Sequence, residues 1–217
     1  MKWTEQEASL PLGKQEGFEK FHHEYEAAMR KVNAKVEILT SDFQVRNDYS
    51  PIHHIEKRLK TAESIEEKLT RLGCEVSIPS ARENIKDIAG LRIICNFIED
   101  VYQVADMLTA QDDIELVTCK DYIKNPKENG YRSLHLGLRV PVFLIDRKVV
   151  VPVELQIRTV AMDFWASLEH KIYYKFEGDA PEYIKDELAE CAKMINALDD
   201  RMLALNDAVQ SIEVKKD

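Results

Sequence analysis

From Val149 to Arg158, apolar residues recur at every second position: Val149, Val151, Val153, Leu155 and Ile157. Successive side chains of a pleated strand point to opposite faces, so this spacing predicts a β-strand with those five on one side. The other side carries Val150, Pro152, Glu154, Gln156 and Arg158. A carboxylate, an amide and a guanidinium therefore form a row on a strand whose opposite side belongs to the core. An antiparallel strand with one wet face would account for such a row alone. The neighbouring segments give it company.

Two more strands with chemically equipped faces are expected. Asp87 to Phe97 is rich in β-branched residues and reads as a buried strand, with Asp87 at its mouth and Arg92 within it. An arginine in an apolar strand needs a partner or a ligand, because burying a lone charge is costly. Tyr131 to Val140 follows the turn signal Asn129-Gly130. Its alternation places Leu134, Leu136, Leu138 and Val140 toward the core and Tyr131, Ser133 and His135 on the other face. Ile114 to Asp121 reads as an edge or third-layer strand, and residues 99–110 as a short helix.

Helical periodicity marks the remainder. Steps of three and four through Phe18, Phe21, Tyr25, Ala28, Val32, Val36, Leu39 and Phe43 predict an amphipathic helix, preceded by residues 1–14, which lack periodicity and are expected to fray. A second helix is expected from Ser50-Pro51, with Ser50 as N-cap, a seam of Ile52, Ile55, Leu59, Ala62, Ile65, Leu69 and Leu72, and Gly73 as a left-handed cap. On that helix Lys60, Ser64 and Lys68 would stack along one face. Such lysines are more often a solvated flank than a phosphate site. Thr159 is expected to cap a helix reaching about Phe176, with Gly178 beyond it and Val160, Phe164, Leu168 and Ile172 as its buried stripe. After Pro181, a seam of Ile184, Leu188, Cys191, Ile195, Leu198, Met202, Leu205, Val209 and Ile212 alternates four and three, a heptad pattern. The fold class is α+β: a mixed sheet near 88–97, 114–121, 132–140 and 148–158, flanked by helices. The expected organisation is an N-terminal helical extension over 1–46, a central domain over 47–178 and a C-terminal amphipathic helix over 179–217.

Composition narrows the partners. A net charge of −9 argues against coating nucleic acid, which leaves a basic footprint, but permits small anions in a local basic pocket. Cys74, Cys95, Cys119 and Cys191 lie far apart with no C-x-x-C pair, so neither a zinc site nor a disulfide framework is expected. No long apolar run or signal peptide is present, and a soluble, cytoplasmic protein is expected.

Four ordered motifs, RLKTAESIEEK (58–68), DIAGLRI (87–93), KDYIKNPKENGYRSLH (120–135) and VELQIRTVAMDFWASLEHK (153–171), together resemble the RelA/SpoT synthetase family over roughly residues 48–176. The short chain is similar to the small alarmone synthetases, and segments 47–54 and 162–171 to their RelP-type branch. The resemblance implies a nucleotidyltransferase-like core that moves the β,γ-pyrophosphate of ATP to the 3′-hydroxyl of GDP or GTP, giving ppGpp or pppGpp and AMP, with GMP a possible acceptor. It implies that Arg58 and Arg92 sandwich the adenine, and that Lys60, Ser64 and Lys68 hold the ATP phosphates. Asp87 and Glu154 would ligate Mg²⁺, and Glu154 would activate the 3′-hydroxyl. Tyr131 would stack on guanine, with Lys127, His135 and Gln156 around the acceptor and Asp163 at the purine edge. The two long amphipathic helices predict at least a dimer and the resemblance a homotetramer, while charge and the lack of a long apolar run lead to the expectation of no stable nucleic-acid binding and no membrane association. No histidine is followed by aspartate, so a synthetase without the family's hydrolase is expected.

Two other classes fit parts of the pattern. A non-enzymatic nucleotide sensor or RNA-binding module could retain the fold, but would be expected to lose Asp87 or Glu154, and both are present. A structural oligomer would explain the heptad seam, but not the polar faces on two adjacent strands.

Overall fold

The computed structural model describes residues 10–174, 176 and 180–213. A 3₁₀ turn at Leu12–Lys14 precedes α1 (Phe18–Asn47), β1 (Ile52–Leu59), α2 (Ala62–Arg71), α3 (Ile78–Asn84), β2 (Ala89–Cys95) and α4 (Ile98–Thr109). Then come β3 (Glu115–Asp121), β4 (Leu134–Phe143), β5 (Lys148–Thr159), α5 (Val160–Tyr174) and α6 (Glu182–Glu213). The five strands form one sheet in the order β1-β2-β5-β4-β3. β2 and β5 run parallel while the other neighbours are antiparallel, so the sheet is mixed as expected. Val151, Val153, Leu155 and Ile157 of β5 and Leu134, Leu136, Leu138 and Val140 of β4 are buried on one face, as their alternation predicts. α1 and α4 cover that face, with Phe21, Tyr25, Ala28, Val32 and Val36 of α1 and Val101, Val104 and Leu108 of α4 in the same core.

The expected single helix over 51–72 is instead a strand and a shorter helix. Ile52, Ile55 and Leu59 do share a face and pack on the core. A register shift between Ile52 and His54 lets a step of three keep to one side of a strand, and a step of four suits a period of two as well as a helix. The helix starts at Thr61, not Ser50: the Thr61 hydroxyl accepts from the Ser64 backbone N–H at 3.3 Å. Lys60 is thus not helical, and Leu72 is half exposed rather than part of a buried seam. Ile65 and Leu69 are buried, and Gly73 takes the left-handed φ of 68° that ends the helix.

Other expectations change too. Residues 10–17, just before α1, are anchored, because Leu12 is fully buried and Gln15 reaches the Val76 carbonyl at 3.0 Å, while residues 1–9 fall outside the described residues. α3, not anticipated, is capped by Ser77, whose hydroxyl accepts from the Ser80 N–H. Ser133 lies before β4 rather than on its open face, and is buried with its hydroxyl on the Ile157 carbonyl at 3.2 Å. In α5 the buried residues are Met162, Trp165 and Ala166, while Val160, Phe164 and Leu168 are exposed. That helix is apolar on most sides, so periodicity could not choose its inner face; the contact with α6 does. The Trp165 indole N–H donates to the Leu188 carbonyl at 2.9 Å, and Ala192 packs beside it. Along α6 the seam divides: Leu188, Cys191 and Ile195 pack on α5, whereas Leu198, Met202, Leu205, Val209 and Ile212 are exposed. Gly178 falls outside the described residues.

A buried carboxylate pins α1 to two distant segments. Glu24 is 4% exposed; one oxygen lies 2.6 Å from Arg82 of α3 and the other 2.9 Å from Arg147 in the β4–β5 turn. The Arg82 guanidinium also covers the Phe21 ring at 4.9 Å. Hydrogen bonds to charged groups contribute about 1.5–3 kcal/mol, and both arginines can return to water. Glu24→Gln is therefore expected to lower unfolding stability by about 2 kcal/mol, read as a drop in the urea midpoint at unchanged slope. An unchanged midpoint would show that the clamp contributes nothing.

Candidate active site

The face of the sheet opposite α1 and α4 carries the chemistry, and strand pairing arranges it in rows. Directly paired residues of neighbouring strands share a face. One row runs Arg58, Gly90, Glu154, Gly137 and Thr118 across β1, β2, β5, β4 and β3. The next runs Glu56, Arg92, Gln156, His135 and Lys120. Glu154 thus stands at the middle of the sheet with a glycine on either side. A Cβ at Gly90 would meet nothing nearer than the Glu154 carbonyl at 3.6 Å, whereas one at Gly137 would collide with the Thr118 hydroxyl. The missing side chain at Gly90 leaves room on the β2 flank of the carboxylate, while on the β4 flank the Thr118 hydroxyl leans over Gly137.

The two glycines line two cavities of small-molecule dimensions. On the β4 side, about 390 Å³ is lined by Lys68, Lys86, Asp87, Thr118, Lys120, Tyr122, Lys127, His135, Gly137 and Glu154, among others. On the β1 side, about 200 Å³ is lined by Glu56, Arg58, Lys60, Asp87, Gly90, Arg92, Glu154 and Gln156, among others. A third space of about 420 Å³ extends the latter between Arg58, Lys60, Ser64, Lys68, Arg71 and Asp87. Asp87 lines all three, and Glu154 the first two. Despite a net charge of −9, the polar floor of these cavities is rich in lysine and arginine.

Asp87 precedes β2 and is held by two ammonium groups, Lys68 Nζ at 2.6 Å and Lys60 Nζ at 3.1 Å. Burial pushes its carboxyl pKa up, but the lysines outweigh that and hold it below the usual range. Lys60 and Lys68 therefore converge as expected, although one sits in the β1–α2 connection and the other in α2. Ser64, in the first turn of α2, lines the same space. Arg92 is not a lone buried charge; it pairs with Glu56 at 2.9 Å.

On the other flank, the Tyr131 hydroxyl and His135 Nε2 lie 2.8 Å apart. Burial, then the charges of Arg158, Lys127 and Lys120, bring the His135 pKa down to about 4, so its ring is neutral at pH 7. Lys127 Nζ lies 4.9 Å from the Tyr131 ring centroid and 5.0 Å from that of Tyr122. Gly130, at φ 87°, shapes the turn before Tyr131, and a Cβ there would collide with Ala192 of α6. The last helix thus braces this loop. Asp163 lines none of the three cavities; its carboxylate lies 3.4 Å from Arg158 and 3.8 Å from Arg92.

Several lining residues were not singled out from the sequence. Lys120 pairs with His135 and could have been found by pairing β3 with β4. Glu56 alternates with Arg58 and becomes visible once 52–59 is a strand. Lys86 adjoins Asp87, and Tyr122 lies in the 120–135 motif, but nothing in their spacing distinguishes them. Among the described residues, no group of three or more His, Cys, Asp or Glu is arranged to hold a metal. Asp87 and Glu154, facing common cavities, are a hard-oxygen pair able to hold a cation that takes its other ligands from phosphate and water. The cysteines are all free thiols. No helix among the described residues is long and apolar enough to cross a membrane.

The RelA_SpoT family, described as a region found in RelA / SpoT proteins, matches residues 57–179. GTP pyrophosphokinase YwaC of Bacillus subtilis (strain 168) is 47% identical over 185 residues, 85% of this chain and 88% of its own length. The crystal structure of small alarmone synthetase 2 from Bacillus subtilis aligns with a TM-score of 0.81 at 45% identity, covering 89% of this chain and 100% of that one. Small alarmone synthetase 1 from Bacillus subtilis, in a structure bound to its product pppGpp, aligns with a TM-score of 0.81 at 36% identity, covering 90% and 100%. The matched region contains the end of β1 and the other four strands, and with them Glu154, Asp87 and the whole lining of the β4-side cavity: the chain belongs to the RelA/SpoT family.

Proposed function

We propose that this protein is a (p)ppGpp synthetase, transferring the β,γ-pyrophosphate of ATP to the 3′-hydroxyl of GDP or GTP. The observation that carries this reading is the placement of Glu154: one carboxylate bordering two cavities, with glycines on both flanks. A two-substrate group transfer needs such a meeting point, whereas a sensor for one nucleotide needs only one cavity. The relatives named for pyrophosphokinase activity and the pppGpp bound to small alarmone synthetase 1 support the same chemistry.

In this reading ATP occupies the β1 side. Arg58 and Arg92 sandwich the adenine, as planar guanidinium groups can. Lys60, Ser64 and Lys68 take the phosphates. The acceptor occupies the β4 side, its guanine stacked on Tyr131, with Lys127 and neutral His135 around it; Gln156, which lines the β1-side cavity, is assigned to the acceptor across its pairing with His135. Asp163 is assigned the purine edge, where a carboxylate accepts from the guanine N1–H and N2–H₂ donors. Glu154 takes the proton of the 3′-hydroxyl as that oxygen bonds to the β-phosphorus. The bond from the β-phosphorus to the α,β-bridging oxygen breaks, and AMP leaves with the oxygen. Such transfers depend on positioning and charge neutralisation more than on covalent chemistry. Mg²⁺, when held by Asp87 and Glu154, would neutralise phosphate charge. Two carboxylates, with no third among the described residues placed to complete a metal site, suit an ion that keeps phosphate and water ligands. A cytoplasmic location is part of this reading.

We further propose the division into an N-terminal helical extension over 1–46, a synthetase domain over 47–178 and a C-terminal helix over 179–217 that mediates homo-oligomerisation, as a tetramer. The exposed stripes Val160, Phe164, Leu168 on α5 and Leu198, Met202, Leu205, Val209, Ile212 on α6 support it, since contiguous apolar surface of that extent marks interaction sites.

Three outcomes are expected. Glu154→Gln should leave the melting temperature unchanged and reduce AMP and alarmone formation by at least about 10²–10⁴-fold, the usual contribution of a general base; near-normal turnover would remove Glu154 from the mechanism. Gly90→Ala should fold normally, because its Cβ meets only ordinary contacts, the nearest at 3.6 Å, and raise KM for ATP without raising KM for GDP. Equal effects on both would place ATP elsewhere. Sedimentation at micromolar concentration should show an assembly larger than a monomer, and substituting Leu198, Met202 and Leu205 by polar residues should dissociate it.

A further inference from the structure

Arg158 closes the polar row of β5, yet none of the roles above uses it. Its side chain is 3% exposed, the deepest of the charged groups on this face. Nη2 donates to the Gln156 side-chain oxygen at 2.7 Å and to the Tyr131 hydroxyl at 3.4 Å. Nη1 lies 3.4 Å from the Asp163 carboxylate, and the guanidinium sits 5.6 Å from the Tyr131 ring centroid. Gln156 in turn donates from Nε2 to Glu154 Oε2 at 3.1 Å. An unbroken chain of contacts therefore runs from Tyr131 through Arg158 and Gln156 to Glu154.

The direction of that chain is set by Arg158. A glutamine amide has an accepting end and a donating end. With Arg158 bonded to the oxygen, the NH₂ group must face Glu154. Turned over, the amide would set two donors against each other at Arg158 and an oxygen against the Glu154 carboxylate, unfavourable at both ends. A lysine could not replace the arginine, because an ammonium is a point charge without the planar fork that spans Gln156, Tyr131 and Asp163 together. Asp163 offsets the burial of the guanidinium charge, which explains why it turns toward Arg158.

We propose that Arg158 is a positioning residue for the acceptor half of the reaction: by fixing the Gln156 amide and the Tyr131 ring, it locks the acceptor-base site and the Glu154 carboxylate into one geometry. It acts through those side chains and not on the transferred group. This rests on the synthetase reading, and AMP formation by the unaltered protein, measured alongside, tests that reading separately.

The experiment is a double-mutant cycle with Arg158→Lys and Gln156→Ala, followed by steady-state kinetics, calorimetry and thermal melts. Arg158→Lys should lower kcat about 10–100-fold, the scale of a misplaced catalytic group, and weaken GDP binding about fivefold, the scale of a lost cation–π and hydroxyl contact. Affinity for a non-hydrolysable ATP analogue should stay within about twofold, and in the Gln156→Ala background Arg158→Lys should change kcat by less than about threefold, because contacting residues in one chain are not additive. Losses that simply multiply would overturn the proposal, as would an equal loss of ATP-analogue and GDP affinity. Should Arg158→Lys not fold, the double variant Arg158→Gln with Asp163→Asn removes both buried charges and is compared with Asp163→Asn alone. The same fall in kcat is then expected, and equal kcat for the two would overturn the proposal.

Discussion

The pairing of β5 with β2 on one side and β4 on the other is the constraint on which the structure depends. It brings three strands from separate parts of the chain into one register, with Ala89 against Val153 and Leu138 against that same Val153. Because the side-chain period of a strand is two, that register also decides what faces the cleft. A slip of one residue in either pairing would turn Gly90 or Gly137 away from Glu154 and set an apolar side chain beside the carboxylate. The same interlocking that buries Val151, Val153, Leu155 and Ile157 therefore sets a glycine on either flank of Glu154.

Around that centre the charges are distributed to serve anions without making the whole surface basic. Lys60 and Lys68 neutralise Asp87, and Lys86, Lys120 and Lys127 stand about the β4-side cavity. A cleft in which cationic side chains outnumber carboxylates concentrates anionic ligands, whatever the net charge of the protein. The acidic remainder lies elsewhere, as in the exposed pairs along α1 and α6, where it does not oppose nucleotide binding. The α6 helix has a second relation to the cleft. Ala192 abuts Gly130, and Asp199, buried, accepts from Thr159 at 2.7 Å. The element carrying the exposed seam thus also braces the loop that presents Tyr131.

Most of the sheet was legible, because alternation is a local property. β4 and β5 could be read residue by residue, and the polar row Glu154, Gln156, Arg158 followed from the same alternation. β1 was not, because a bulge turned its period into steps of three and four that also fit a helix. The inner face of α5 was not, because an apolar residue stands on nearly every side of it and only contact with α6 selects Trp165 over Phe164. Lys60 and Lys68 were expected to meet along a helix; they meet at Asp87, an association that a turn and a separate helix produce.

The sequence by itself determined the elements with a clear period, the fold class they build and, through four ordered motifs, the kind of chemistry to expect. These are properties of neighbouring residues and of spacing along the chain. Tertiary structure alone decided that glycines flank Glu154 on both sides, that Asp87 lines all three spaces around the cleft, and that Arg158 is buried against Tyr131, Gln156 and Asp163. Each of these joins residues from different segments of the chain. Such joining is set by strand register and by which helix face packs inward, and both are fixed only when the whole core closes.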